Sequence, residues 1–121
     1  MVAETTGTLS GQTCEACRRD SPRVTPEEVA ALLPQIPEWD LGDHNGVDRL
    51  VRSFMFPDFA SALAFTDQVG KLAEAEGHHP KLETEWGKVV VSWWTHKIRG
   101  LHRNDFIMAA KTDHLASLPA E

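Results

Sequence analysis

Residues 82–96, LETEWGKVVVSWWTH, are rich in the β-branched and aromatic side chains that favour strands. A turn at Gly87-Lys88 divides this stretch into residues 82–86 and 89–96, which predicts a β-hairpin with His96 at its outer end. At alternate positions, one face of the second strand carries Val89, Val91, Trp93 and Thr95, and the other carries Val90, Ser92, Trp94 and His96. Because both faces are partly apolar, either the second face or an edge of the sheet packs against another subunit, or one face is simply partly exposed.

Residues 39–56 predict a second hairpin upstream of the first. A strand-like WDL is followed by the turn sequence HNG and then by DRLVRSFMF, in which Leu50, Phe54 and Phe56 share one face. Each hairpin supplies two strands, so the chain contains enough strand for a four-stranded sheet.

Helical segments separate and flank the hairpins. Thr25, Pro26 and Glu28 form a capping box with proline at the first helical position, so a short helix begins there. Asp58 caps a second helix, which ends at Gly77. The predicted inward residues of this second helix are Phe59, Ala62, Phe65, Val69 and Leu72 or Ala73.

Residues 105–118 form the predicted third helix, for which the sequence offers no clear cap. Its candidate inward residues are Phe106, Ala109, Ala110 and Leu118. The element order is therefore helix, two strands, helix, two strands, helix. Hairpins joined by a helical crossover predict an α+β fold with a four-stranded, mostly antiparallel sheet and helices on one face.

The chain has 121 residues, a formal charge of −6 and 41% hydrophobic residues, which is typical of one globular domain. An acidic chain lacks the basic surface that nucleic acid or an anionic membrane requires, so neither is an expected partner. No apolar run approaches the ~20 residues that span a bilayer, and the first ten residues lack the features of a signal peptide. We therefore expect a cytoplasmic protein.

Cys14 and Cys17 form a CEAC motif in a polar stretch before the first helix. A redox motif needs a strand before it and a helix after it, and a structural zinc site needs four ligands, so neither is complete here. We therefore expect residues 1–23 to be a flexible tail with two reduced thiols, followed by a single domain over residues 24–121.

Three histidines fall at one edge of the predicted sheet. His78 and His79 lie between the second helix and the third strand, and His96 ends the fourth strand. Because hairpin partners meet at their outer ends, we expect the three imidazoles to converge. Glu74 lies one turn before His78, and Asp105 begins the third helix, so both carboxylates are placed to fix imidazole tautomers. An imidazole with a pKa of about 6.5 both donates and accepts protons near neutral pH, which favours an acid/base site.

A catalytic zinc site is the alternative, since three histidines with an open fourth position can bind zinc. Adjacent histidines rarely present both rings to one ion, and the helical HExxH spacing is missing. The residues therefore favour acid/base chemistry without a metal, and zinc stays as the second hypothesis.

The site residues also belong to a longer spaced pattern, E-x3-HHP-x5-W-x9-H-x8-D over residues 74–105. This pattern resembles the active-site signature of the pterin-4a-carbinolamine dehydratases. Three further stretches are similar to that family: LLPQIPEW (32–39), LVRSFMFPDFASALAF (50–65) and THKIRGLHRND (95–105). The resemblance covers about residues 25–116. It departs from the family at Leu82, where many relatives carry an aromatic residue, and at His102, where a serine or threonine usually caps the last helix.

The resemblance implies dehydration of 4a-hydroxytetrahydropterin to quinonoid dihydropterin, without a metal or organic cofactor. This step would recycle the pterin cofactor of aromatic amino acid hydroxylases and would link the chain to a pterin-dependent phenylalanine hydroxylase. The family assembles as homodimers or homotetramers. Its fold also serves as a non-enzymatic dimerisation or assembly module, which is the alternative function.

The resemblance also implies roles for individual residues. His78 and His96 would be the acid/base pair, and His79 would bind and orient the pterin. Glu74 and Asp105 would support the pterin ring and the imidazoles. Trp86 occupies an aromatic position of the family, where it would orient the substrate or pack against it rather than react.

Overall fold

The chain alternates helices and pairs of strands in the predicted order. The computed structural model describes residues 9–12, 14 and 23–117. Its helices are α1 (Pro26–Leu32), α2 (Phe59–Glu76) and α3 (Arg103–Ser117). Its strands are β1 (Asp40–His44), β2 (Val47–Met55), β3 (Lys81–Glu85) and β4 (Lys88–Trp93). Short 3-10 segments lie at Leu9–Gly11, Leu33–Gln35 and His96–Ile98.

The strands form one sheet in the order β1-β2-β4-β3. Every neighbouring pair is antiparallel, which confirms the predicted α+β class. In the central pair, Leu50 lies opposite Trp93. In the second hairpin, Lys81 lies opposite Ser92, so the start of β3 and the end of β4 lie side by side. The predicted juxtaposition of the His78 loop with the end of β4 is therefore correct.

Helices α2 and α3 cover one face of this sheet and enclose the core. The alternating face predicted for β4 is confirmed, since Val89, Val91, Trp93 and Thr95 are all buried. Leu50 and Phe54 of β2 are buried on the same side. The helices contribute the buried residues Ala62, Phe65, Val69, Ala73, Phe106, Met108 and Ala109. None of the described helices has the length and apolar character needed to cross a membrane.

The predicted helix ends agree with the structure at three points. Glu28 N–H donates to Thr25 Oγ1 while Thr25 N–H donates to a Glu28 carboxylate oxygen, which is a complete capping box. Asp58 accepts from the backbone N–H of Ser61 and caps α2. Gly77 ends α2 with a φ of +66°, in the left-handed region that glycine adopts at low cost.

Several expectations about the ends of elements are wrong. Strand β4 stops at Trp93, so His96 lies in a 3-10 turn beyond the strand. This happens because Thr95 pairs with Gly100 across the turn and no longer with a strand. Phe59 is 44% exposed, since it begins α2 outside the sheet-facing stripe. Helix α3 begins two residues before Asp105.

Three predicted inward residues are not found fully buried in the core. Phe56 follows the end of β2 and is half-buried, with its ring centroid 5.2 Å from that of Phe65. Ala110 is half-buried, and Leu118 lies outside the described residues.

Residues 9–12 and 14, the described part of the N-terminal segment, contact the domain instead of extending from it. Leu9 is 2% exposed and belongs to the hydrophobic core. The Arg103 guanidinium donates twice to Gln12 Oε1, and Lys111 Nζ donates to the carbonyl oxygen of Ser10. The backbone N–H of Cys14 donates to the Glu76 carboxylate at 3.1 Å. These contacts differ from the expected flexible tail for residues 9–12 and 14, whereas Cys17 lies outside the described residues.

Candidate active site

The end of α2 turns His78 toward the interior. With Gly77 in a left-handed conformation, the backbone N–H of His78 donates back to the carbonyl oxygen of Ala73. His78 is consequently 8% exposed. His79, one residue further, has a side chain that is 58% exposed. The glycine therefore separates two neighbouring histidines into different environments.

His78 contacts the carboxylate of Asp105, which is 0% exposed. The distance from His78 Nε2 to Asp105 Oδ1 is 2.6 Å. Asp105 Oδ2 accepts from Thr95 Oγ1 at 2.8 Å and from the backbone N–H of His102 at 2.9 Å. Three donors thus satisfy this buried carboxylate, as a charge in the interior requires.

The Asp105 contact assigns the tautomer of His78. An ionised carboxylate only accepts hydrogen bonds, so Nε2 carries a proton, and in the neutral ring Nδ1 therefore carries the lone pair. A lone pair on Nδ1 is the group that accepts a proton in general-base catalysis, and a neighbouring carboxylate stabilises the imidazolium that results.

The His78 ring is also fixed by an aromatic contact. It stacks on Trp93 with ring centroids 5.8 Å apart and an interplanar angle of 9°. Trp93 is itself held, since its Nε1–H donates to Thr112 Oγ1 at 3.1 Å. The imidazole therefore rests on β4 and α3, which are both part of the core.

Glu74, which the sequence placed one turn before His78, pairs instead with His79. His79 Nε2 contacts Glu74 Oε2, and the two side chains are 58% and 78% exposed. In contrast to His78, this pair lies in solvent, where hydrogen bonding and charge are screened by water.

His96 lies in the 3-10 turn just beyond the end of β4. Its ring stacks on Trp94 with centroids 4.5 Å apart, and the Arg49 guanidinium carbon lies 3.8 Å from the centroid of the same indole. Trp94 follows Trp93 and points away from the helices, so His96 is exposed while His78 is buried.

Trp86 lies in the turn between β3 and β4 and is 72% exposed. The site lies at the opposite end of this hairpin, and the five residues from Trp86 to the start of β3 at Lys81 span about 17 Å at a rise of ~3.3 Å per residue. In this chain Trp86 therefore does not pack against the core.

Each of the three imidazoles has a different partner: Asp105, Glu74 or Trp94. Among the described residues, no group of three or more His, Cys, Asp or Glu side chains is arranged to hold a metal ion. The three histidines are therefore not arranged as joint ligands of zinc.

The sequence was compared with known protein families and with curated proteins. The family model described as "Pterin 4 alpha carbinolamine dehydratase" matches residues 22–115. The chain belongs to this dehydratase family. A curated protein of Syntrophotalea carbinolica is 60% identical over 107 residues, which is 88% of this chain and 96% of that protein. Its name is "Putative pterin-4-alpha-carbinolamine dehydratase".

Two solved structures have a similar fold. A transcriptional coactivator/pterin dehydratase from Brucella melitensis is 31% identical and superposes with a TM-score of 0.71 over 79% of this chain and all of that one. A pterin dehydratase-like protein described as a RuBisCO assembly factor of the α-carboxysome is 24% identical, with a TM-score of 0.54 over 64% of this chain and 90% of that one. The second likeness concerns the fold alone.

Two residues of this dehydratase-family site were not predicted from the sequence to be site residues. Thr95 and His102 both donate to Asp105, from the turn after β4 and from the residue before α3. A threonine on the same face as Trp93 was a usable signal, because a polar side chain on a buried face needs a hydrogen-bond partner. His102 was noted only as a departure at the family's cap position, and histidine is not a favoured N-cap residue, so its contact with Asp105 was not predicted.

Proposed function

We propose that the chain dehydrates 4a-hydroxytetrahydropterin to quinonoid dihydropterin by histidine acid/base catalysis. The observation that most supports this is the buried pair of His78 and Asp105, in which the carboxylate leaves a proton-accepting Nδ1 on a fixed ring. In the reaction, the base removes the proton on N5, electrons form the C4a=N5 bond, and the hydroxyl leaves from C4a as water after taking a proton from the acid.

His78 is the base in this proposal and His96 is the acid. Asp105 stabilises the imidazolium that His78 becomes, so the buried pair suits the step in which positive charge develops. His96 is exposed and stacked on Trp94, where it exchanges protons with solvent between turnovers. His79 and Glu74, both exposed, bind and orient the pterin.

The proposal places the protein in the recycling of the pterin cofactor of aromatic amino acid hydroxylases. Its support is the family membership and the name of the Syntrophotalea carbinolica relative. The quinonoid product needs a reductant to return to the tetrahydro form, so a reductase reaction follows this one in the cycle.

The assay follows loss of 4a-hydroxytetrahydropterin by ultraviolet absorbance in a coupled hydroxylase reaction. We expect wild type to accelerate the loss, and His78→Ala and His96→Ala to lower kcat by about 10²- to 10⁴-fold. His44→Ala, an exposed histidine at the end of β1, is the control and should match wild type. No acceleration by wild type contradicts the function; full activity in both site variants contradicts the assigned roles.

A non-enzymatic assembly role is the second candidate. It is favoured by the sheet face away from the helices, where Trp94, Val51 and Val90 are only half-buried, and by the coactivator description of the Brucella melitensis relative. We propose a homodimer or homotetramer as the assembly, with a mass of two or four times 13.4 kDa by light scattering. If His78→Ala/His96→Ala fully rescues a deletion strain, the assembly role is the biological one.

A further inference from the structure

Helix α3 begins with a cap that is unusual in using histidine. The backbone N–H of Asn104 donates to His102 Nδ1 at 3.0 Å, and the backbone N–H of His102 donates to Asp105 Oδ2 at 2.9 Å. The His102 side chain thus accepts from the second helical residue, Asn104, while the third, Asp105, accepts from the backbone of His102. At α1, by contrast, Thr25 Oγ1 accepts from the third helical residue, Glu28, so the α3 cap is related to a capping box but uses an imidazole and the N–H one residue earlier.

This cap is joined directly to the candidate base. Asp105 uses Oδ2 for the cap and Oδ1 for His78, so the cap fixes the direction in which the carboxylate faces the imidazole. His102 is 7% exposed and Asp105 is 0% exposed, which leaves little water to replace a lost hydrogen bond.

The cap requires one protonation state of His102. An imidazole nitrogen accepts a hydrogen bond only when it carries a lone pair, so Nδ1 is unprotonated and any proton of the neutral ring is on Nε2. The imidazolium has two N–H groups and no acceptor. Protonation of His102 therefore removes the acceptor for Asn104 N–H and opposes the cap.

We propose that His102 is a positioning residue for Asp105, and that its cap holds only while Nδ1 is unprotonated. Histidine ordinarily changes charge within the physiological pH range, so this cap makes the orientation of Asp105 sensitive to pH where a serine or threonine cap would not. The proposal rests on the proposed function, because it deepens the account of the same site.

Other charged or titratable groups surround this cap. From α3 itself they are Asp105 and Arg103, whose guanidinium is held by Gln12. The loop after α2 contributes His78, which contacts Asp105 of the cap. From the N-terminal segment it is Cys14, whose Sγ lies 4.0 Å from the carbonyl oxygen of Asn104. His78 accepts a proton in the proposed reaction, so the test needs a variant that changes the cap alone.

The test compares His102→Asn, His102→Ala and Thr25→Ala, with kcat measured from about pH 5 to 8. Asparagine caps without titrating, alanine removes the cap, and Thr25→Ala removes a matched cap at α1. We expect His102→Ala to lower kcat about tenfold at neutral pH, since small misplacements of a catalytic group are costly. Thr25→Ala should stay near wild type. His102→Asn should have a kcat near that of wild type at neutral pH. Its kcat should fall less than that of wild type as the pH is lowered to about 5.

Two results overturn the proposal: His102→Ala lowers kcat no more than Thr25→Ala does, or the kcat of His102→Asn falls toward pH 5 as much as that of wild type.

Nitrogen NMR of histidine-labelled protein gives a readout that does not depend on activity. We expect the His102 proton on Nε2 at neutral pH, and a change in the His78 signals in His102→Ala. A proton on Nδ1 overturns the positioning role, whereas absence of dehydration with the expected tautomer overturns only the proposed function.

Discussion

At the scale of single residues, two adjacent histidines form pairs with carboxylates in opposite environments. His78 and Asp105 are buried, and His79 and Glu74 are exposed. Each pair joins a histidine to a carboxylate, and the difference in burial arises from the turn at Gly77. Buried hydrogen-bond donors that lose their acceptor are strongly disfavoured, whereas exposed donors bond to water. The two pairs should therefore respond differently to removal of the carboxylate.

Replacing the two carboxylates measures this difference. Asp105→Ala leaves the donors on His78, Thr95 and His102 without an acceptor inside the protein, and we expect it to lower the free energy of unfolding by about 2–5 kcal/mol. Glu74→Ala removes a solvent-exposed partner and should change it by at most about 0.5 kcal/mol. Urea unfolding gives both values. Equal losses would contradict the assignment of His78–Asp105 as the buried, stabilising pair.

The two tryptophans near the second hairpin should also differ in their effect on the reaction. Trp94 stacks on His96, and we expect Trp94→Ala to lower kcat about tenfold by releasing the proposed acid from its position. Trp86 lies at the other end of the hairpin, so Trp86→Ala should leave kcat near wild type unless a second subunit brings it to the site. Steady-state kinetics of both variants decides this. A larger loss in Trp86→Ala would favour its predicted role in orienting substrate.

At the scale of helices and strands, the sequence predicted features that depend on local residues. The capping box of α1, the Asp58 cap and the Gly77 end involve groups within five positions of one another, so local chemistry determines them. The end of β4 and the start of α3 depend instead on where Thr95 pairs and on the contact of His102 with Asp105. Those contacts require the folded turn to be in place, and periodicity alone does not contain them.

The Asp58 cap predicts a pH dependence of stability. Hydrogen bonds from the backbone and side chain of Ser61 hold the pKa of Asp58 below its ordinary value of 3.8. A carboxylate with a lowered pKa stabilises the folded state above that ordinary value and loses its contribution as the pH falls through the folded pKa. We therefore expect the Tm difference between wild type and Asp58→Asn to change in favour of the variant as the pH falls from about 6 to 2.

Thermal unfolding monitored by circular dichroism checks this pH dependence. Asparagine is the matched replacement because it caps a helix without carrying a charge. A Tm difference that stays constant over the whole pH range would show that ionised Asp58 contributes nothing to the cap.

At the scale of the whole molecule, the N-terminal segment connects parts of the chain that are far apart in sequence. Gln12 contacts Arg103 and Cys14 contacts Glu76, across separations of 91 and 62 residues. Its polar composition has no period that would predict packing, which is why sequence analysis assigned it to a flexible tail. The pattern of α2, β2 and β4 was sufficient for the main sheet, since each has its own apolar face.

The contribution of this segment to the free energy of unfolding can be measured at Leu9. Leu9 is 2% exposed and lies among core residues, although it precedes the family match, which begins at residue 22. Leu9→Ala removes buried apolar volume and should lower the free energy of unfolding by about 2–4 kcal/mol. Leu63→Ala, at a position of α2 that is 51% exposed, is the matched control and should stay within about 0.5 kcal/mol of wild type. Urea unfolding of both variants is the measurement. If Leu9→Ala costs no more than Leu63→Ala, the segment adds nothing to stability, and the domain that unfolds cooperatively begins near residue 22.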